Sequence, residues 1–386
     1  MLLTAERIHD GRTWLPAGSV IETDEKGIII AIHNNEQPGT IHYDGVLAPG
    51  FVNTHCHLEL SHMKGAIPEH TGLISFLQRV MMQRNGFTEE QKQTARHTAF
   101  ADMLTNGIVA VGDIANTTDT VDLRNQYTIH FHTFVESIGF TETPQKQFAY
   151  AQQVYDIFAG QQQGSKYIRQ SIVPHAPYSV SHVLFGLIDK HDKESLISIH
   201  NQESLAEDAY YLLKEGGVQT LLHSLGIDDG FFVPSGKSSL QTYLEWLSPG
   251  HPFIFVHNTY SSKTDIEIAQ TLLKDVYWCL CPNANLYIEN TLPDIGMFLS
   301  QHANICIGTD SLSSNHRLCI LSELYTIRQH YPHIAWETLL QWGTYNGACA
   351  LKMQDAVGSF TIGLQPGILQ LTGLETGNAP AVRRLI

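Results

Sequence analysis

The chain has 386 residues, 43% of them apolar, and 23 basic against 38 acidic side chains for a formal charge of −15. A surface this acidic repels phosphate backbones, which argues against a nucleic-acid partner, and the length admits either several ordinary domains or one large α/β barrel. No apolar run approaches the ~18 residues of a membrane span, and the opening MLLTAERIHDGRTWLP lacks the basic and apolar regions of a signal peptide, so no membrane partner and a cytoplasmic location are expected.

In chain order, residues 1 to about 48 contain short strand-like runs, GSVIET, GIIIAI and TIHYDGVLAPG, broken by Gly, Asn and Pro. Beyond residue 50, apolar runs alternate with helical stretches. GVLAPGFVNTHCH is followed by runs at 107–113, 127–136, 168–175, 195–200, 252–257, 276–282 and 303–310, eight in all. Thr88 to Gln91 reads as a capping box, with Gly107 closing the helix that follows, and Thr264 to Glu267 reads as a second box. The segment 204–251 is longer than a minimal crossover and reads as a cover over a pocket. Eight strand–helix units with near-continuous apolar strands predict an α/β fold, a (β/α)8 TIM-type barrel over 49–355. The tail returns to short strands and Gly/Pro turns. Residues 1–48 and 356–386 are therefore expected to form a small β-sandwich domain from both termini.

Six cysteines scattered over this length make no disulfide framework, and the C-x-C pair Cys279 and Cys281 reads as two buried thiols. The 21 histidines matter by position. Residues i and i+2 of a strand share a face, so His55 and His57 both point into the barrel. Alone, that pair is equally compatible with two satisfied polar side chains. The fifth run ends in His200, the sixth in His257 and the eighth in Asp310. This is the end of the strands where such barrels carry their sites. His55, His57, His200 and Asp310 thus form a candidate metal set, neutral imidazole being a good zinc ligand. Two-metal sites of related barrels often use a modified lysine at the end of the fourth strand. That strand ends in SIVPHAP here, so one divalent ion is expected, zinc with divalent iron as the alternative. His175 takes that strand end and is read as facing substrate. Glu203, three residues after His200, is placed to move a proton of the bound water, whose pKa the ion lowers to about 7. His257 is either a further ligand or a charge stabiliser, and the second role is preferred because four ligands are already present. Glu59 shares the face of His57 if the strand extends that far, and reads equally as a substrate contact or as half of a salt bridge at the rim.

GFVNTHCHLE, SIHNQES, VHN, CPNANLYI and GTDSLSSN come in an order and spacing that resembles the amidohydrolase superfamily over nearly the whole chain. Within it the chain is similar to the mononuclear-metal deaminase and chlorohydrolase branch, which includes S-adenosylhomocysteine/methylthioadenosine deaminases, guanine deaminase and triazine hydrolases. HLELS, PHAPYSVS and GTDSLSSN look most like the aminodeoxyfutalosine deaminase group. The resemblance implies that His55, His57, His200 and Asp310 bind the metal, that Glu203 shuttles a proton, that His257 polarises the nucleophile, and that His175 and Ser313, Ser314 and Asn315 touch substrate. One departure is that Ile368-Leu369 stands where such tails carry an Ala-Asp pair.

The expected activity is hydrolytic deamination of a purine-like or other nitrogen-heterocyclic amine, a small-molecule substrate, with Glu203, His257 and Asp310 as catalytic residues and release of ammonia. The alternatives are a chlorohydrolase or cyclic-amide hydrolase using the same site and, in a different class, a catalytically inactive metal-binding barrel. A homodimer is compatible with such folds, and the absence of a dinucleotide glycine fingerprint argues against redox chemistry.

Overall fold

The computed structural model describes residues 1–126, 128–161, 164, 166–375 and 379–386. The strand run expected from residue 127 therefore begins outside the described residues at Tyr127. It is seen as a strand from His130.

All eight expected barrel strands form. They are β5 (Phe51–Cys56), β6 (Ile108–Ala115), β7 (His130–Ser137), β8 (Ile168–Pro174), β9 (Ile197–Asn201), β10 (Phe253–His257), β11 (Val276–Leu280) and β12 (Ile305–Ile307). They pair in parallel as two four-stranded sheets, β5-β6-β7-β8 and β12-β11-β10-β9. Two seams join the sheets into an eight-stranded barrel. At one, the His55 carbonyl accepts from the backbone N–H groups of Thr309 (3.0 Å) and Asp310 (3.1 Å). At the other, the His175 carbonyl accepts from His200 N at 3.0 Å. Gly308 permits the first closure, because a Cβ there would lie 2.8 Å from the His55 Cβ and 2.9 Å from the Cys279 Sγ. Both seams pass through the predicted site residues.

The strands are apolar throughout because both faces are covered. Phe51, Phe131, Phe134, Phe253, Phe255 and Trp278 are all fully buried in the main core. A second cluster, including Phe76, Phe140, Tyr178, Tyr211 and Phe232, roofs the barrel mouth. The segment 204–251 contributes to that roof with helices Leu205–Leu213 and Gly217–Ser224, whereas its helix Ser239–Tyr243 packs on the main core through Leu240 and Tyr243. The capping box at Thr88 and Gln91 is present. The second box differs from expectation: the helix Lys263–Leu272 is capped by Ser262 with Asp265 at its third position, two residues earlier than the sequence suggests. Ser262 has extended backbone and an oxygen free to reach the Asp265 N–H, which is what a cap requires.

Both chain ends meet in a β structure, as one six-stranded sheet rather than two facing ones. Its order is β14-β13-β4-β1-β2-β3, from β1 (Leu2–Ile8), β2 (Val20–Thr23), β3 (Ile29–His33), β4 (Ile41–Pro49), β13 (Ile368–Thr372) and β14 (Ala381–Arg384). One sheet suffices because alternation along β4 and β13 serves two faces. Val46, Ala48, Leu369 and Leu371 pack on the main core, while Leu47 and Ile368 join Leu3, Ile8, Ile21, Ile29 and Phe360 on the other side. Only Gly50 separates β4 from β5, so the sheet leads directly into the first barrel strand. Among the described residues no helix is long and apolar enough to cross a membrane.

Candidate active site

The ends of β5, β9 and β12 bring four ligand-type side chains together. His57 Nε2 lies 3.2 Å from both His55 Nε2 and His200 Nε2. Asp310 Oδ1 lies 3.3 Å from His57 Nε2 and 3.6 Å from His55 Nε2. All four ligand atoms fall within 4.8 Å of one another and all four residues are buried. Ligand atoms about 2.1 Å from a tetrahedral zinc ion would be about 3.4 Å apart, close to this spacing.

The donor chemistry passes the same test. His200 Nδ1 is 2.8 Å from the His175 carbonyl, which fixes its proton there and leaves a lone pair on Nε2. Burial pushes the His57 pKa down to about 3 and the His200 pKa well below its ordinary value, so both rings are neutral. Burial alone would raise Asp310, but the close polar contacts of its carboxylate with the surrounding imidazoles, His55 first, hold it well below the carboxylate range. Lone pairs facing one another beside a carboxylate are unfavourable until a cation sits between them. The residues present therefore fit a divalent ion.

Backbone strain collects at the same rim. Gln202, His257, Asn258 and Asp310 have φ of 46°, 71°, 57° and 55°, in the left-handed region that non-glycine residues avoid. Each costs about 1–3 kcal/mol. Hydrogen bonds hold these turns in place. Asn258 N donates to the Asn201 carbonyl at 3.0 Å, and Gln202 N donates to Glu207 Oε1 at 3.0 Å. The Ser314 hydroxyl donates to Asp310 Oδ2.

Glu203 is buried, and its Oε1 lies 3.7 Å from His257 Nε2. Burial, with the Asp310 charge adding to it, pushes the Glu203 carboxyl well above the ordinary range. His257 stands beside the four-residue cluster rather than within it: its ring centroid is 5.5 Å from that of His200 and 5.8 Å from that of His55. Burial lowers its pKa to about 4. These groups open into a cavity of about 700 Å³ whose far wall includes Phe76, Val80, Phe140, Leu222 and Phe231. His175 lines it, with Nδ1 2.7 Å from the Ser179 hydroxyl.

Three expectations for substrate contact meet a different geometry. The strand stops at Cys56 and a 3-10 helix, Leu58–Met63, follows, so Glu59 does not continue the strand face of His57. Its carboxylate touches the cavity but is engaged by Arg84 at 3.4 Å and by Asn116 N and Thr117 N at 3.1 Å each, the rim salt-bridge alternative. Ser314 and Asn315 are turned away from the cavity, which Ser311 and Ser313 line in their stead. The positive φ of Asp310 reverses the chain there. Ser314 then lies behind the Asp310 carboxylate, and Asn315 reaches the Thr309 carbonyl (2.9 Å) and Glu323 (2.8 Å).

One cavity residue was overlooked in the sequence. Glu136, at the end of β7, is buried with Oε2 2.6 Å from Asn116 Nδ2 and Oε1 3.4 Å from His200 Nδ1. Burial raises its pKa to about 8. It ends the run 127–136 as His200 and His257 end theirs, so the strand-end rule that found them also points to it. Glu136, His175 and His200 are close enough to suggest a second metal set, but His200 Nδ1 is committed to the His175 carbonyl and offers no lone pair on that side.

Comparison with known proteins agrees with this architecture. The profile of the Amidohydrolase family matches residues 46–371, and the chain belongs to that family. It is thus a hydrolase of the class that acts on C–N bonds other than peptide bonds. An adenosine deaminase of Helicobacter pylori is 25% identical over 317 residues, covering 81% of this chain and 76% of that protein. The crystal structure of H. pylori aminofutalosine deaminase in complex with methylthio-coformycin superposes with a TM-score of 0.81 at 20% identity, over 95% of this chain and 91% of that one. The zinc complex of atrazine chlorohydrolase from Arthrobacter aurescens gives a TM-score of 0.72 at 18% identity, over 98% and 88%.

Proposed function

We propose that this protein is a metal-dependent aminohydrolase that deaminates a purine-like or related nitrogen-heterocyclic amine, of the adenosine-derivative type, with release of ammonia. His55, His57, His200 and Asp310 would hold one divalent ion, zinc in the first instance. The observation that carries the reading is the convergence of three imidazole nitrogens and one carboxylate oxygen, at 3.2 to 3.6 Å, beside the Glu203–His257 pair. Support also comes from relatives named as adenosine and aminodeoxyfutalosine deaminases.

A divalent ion held there supplies Lewis acidity and brings the pKa of water towards about 7. The chain's own groups do the rest. Glu203 takes one proton of the attacking water and delivers it to the ring nitrogen next to the amino-bearing carbon. Burial, which raises its pKa, helps it hold the proton between the two transfers. The neutral His257 orients the water oxygen. Asp310, steadied by Ser314, passes the second proton to the amino group. The new C–O bond forms, the C–N bond breaks and ammonia leaves. The apolar roof cluster lowers the polarity over the bound substrate, which strengthens the electrostatic contacts below it.

Metal analysis with an ammonia-coupled assay over adenosine-like, guanine and aminofutalosine-type compounds tests this. About one zinc per chain and ammonia from at least one adenosine-like compound are expected. Chloride release from a chlorotriazine with no ammonia from any amine would replace the reading with the chlorohydrolase one. Iron in place of zinc would correct the ion alone.

A further inference from the structure

The cavity reaches well past the metal cluster, and its polar groups are unevenly placed. Beyond the cluster, the walls carry the carboxyl groups of Glu59, Glu136, Glu142 and Asp228. Among the described lining residues the one lysine or arginine is Arg84, and Arg84 already faces Glu59. Glu136 is the member of this set nearest the cluster. It is 6% exposed, and one of its oxygens is bound by Asn116. The other, Oε1, has no hydrogen-bond donor among the described residues, because the His200 Nδ1 proton is directed at the His175 carbonyl. An acceptor with no protein donor, facing a cavity, is available to a donor on a bound ligand. Oε1 stands one imidazole ring away from the Nε2 atoms that would hold the ion. A heterocycle reacting over those atoms therefore presents its substituent, not its reacting carbon, to Glu136.

We propose that Glu136, held by Asn116, is the specificity-determining acceptor for an uncharged or cationic substituent bearing hydroxyl or ammonium donors, and that it discriminates against carboxylate-bearing substrates. This rests on the deaminase reading and narrows it. A carboxyl oxygen accepts from such donors in either protonation state. An anionic substituent there gains no donor and stands against the buried carboxyl groups of Glu136 and Glu59.

The test uses the metal-loaded full chain with adenosine, 2′-deoxyadenosine, 3′-deoxyadenosine, 5′-amino-5′-deoxyadenosine and adenosine-5′-carboxylic acid, against wild type, Glu136→Gln and Glu136→Ala. In wild type, loss of the contacted donor should lower kcat/KM roughly 10- to 100-fold, mainly through KM, and the carboxylic acid should be the poorest substrate. The hydroxyl and amine arms distinguish the two donor types. Glu136→Ala should erase the difference between matched compounds, and Glu136→Gln, which keeps an acceptor, should restore part of it. Melting temperature and metal content control for misfolding. Equal loss on every compound, with discrimination unchanged, would overturn the proposal and leave Glu136 as a support for His200. If wild type deaminates none of the five, the deaminase reading is in question, and calorimetric binding of the same compounds still decides the subsite. Donor-dependent affinity lost in Glu136→Ala upholds it, and equal affinities refute it.

Discussion

The barrel mouth and the terminal sheet are built on opposite terms. The sheet is relaxed: alternating apolar side chains of β4 and β13 fill two cores. The mouth gathers four left-handed non-glycine residues, buried neutral histidines and carboxyl groups raised to about 8 at Glu136, Glu207 and Glu323. Strain and unsatisfied polar groups lower stability unless something bound there recovers the loss. The contrast locates function in the mouth without reference to any relative.

The contrast breaks most visibly at the metal set. His57→Ala should lose the ion and reduce ammonia release by at least about 10⁴-fold, as read by metal analysis and turnover together. Next in size, Glu203→Gln should retain the ion and lose roughly 10³- to 10⁴-fold in kcat. Near-normal turnover in that variant would remove Glu203 from the proton path. Ser314→Ala should cost about 10-fold in kcat with little change in KM, because it frees the Asp310 carboxylate without touching the cavity.

The mouth's buried acids should also set a pH slope in stability. Burial raises Glu323 to about 8, whereas in the unfolded chain it ionises near its ordinary value. Between those two values the folded state holds the extra proton, so stability falls as pH rises through that window. Glu323→Gln should flatten part of the slope in melting temperature between pH 5 and 9. A slope identical to wild type would contradict the assignment. The smallest effect on activity belongs to the sheet. Leu47→Ala should cost about 2–5 kcal/mol of stability, read by denaturant unfolding, yet leave kcat and KM unchanged. That outcome is expected if, as we propose, residues 1–48 and 356–386 form a unit apart from the catalytic barrel.

Much of this was legible because the signals were periodic or terminal. Eight apolar runs announced eight strands, and ligand-type side chains at strand ends pointed to the rim where the structure gathers them. β1 was harder, since its LLTAERI mixes charged and apolar residues without strict alternation. The inward turn of Ser314 and Asn315 depends on the positive φ of Asp310, which no residue-type rule supplies for an aspartate. Glu59 was left open between a substrate contact and a rim salt bridge because periodicity does not tell where a strand ends, and the chain is already helical past Cys56. Glu136 was within reach of the strand-end rule that found Asp310, and its neighbour His200 became visible only once the strands were placed side by side.

The measurement that bears most directly on the central claim is a metal titration of chelator-treated protein with ammonia release as the readout. The account predicts no turnover without metal and a linear rise that saturates at one zinc per chain. Full activity in metal-free protein, or saturation only at two equivalents, would contradict it.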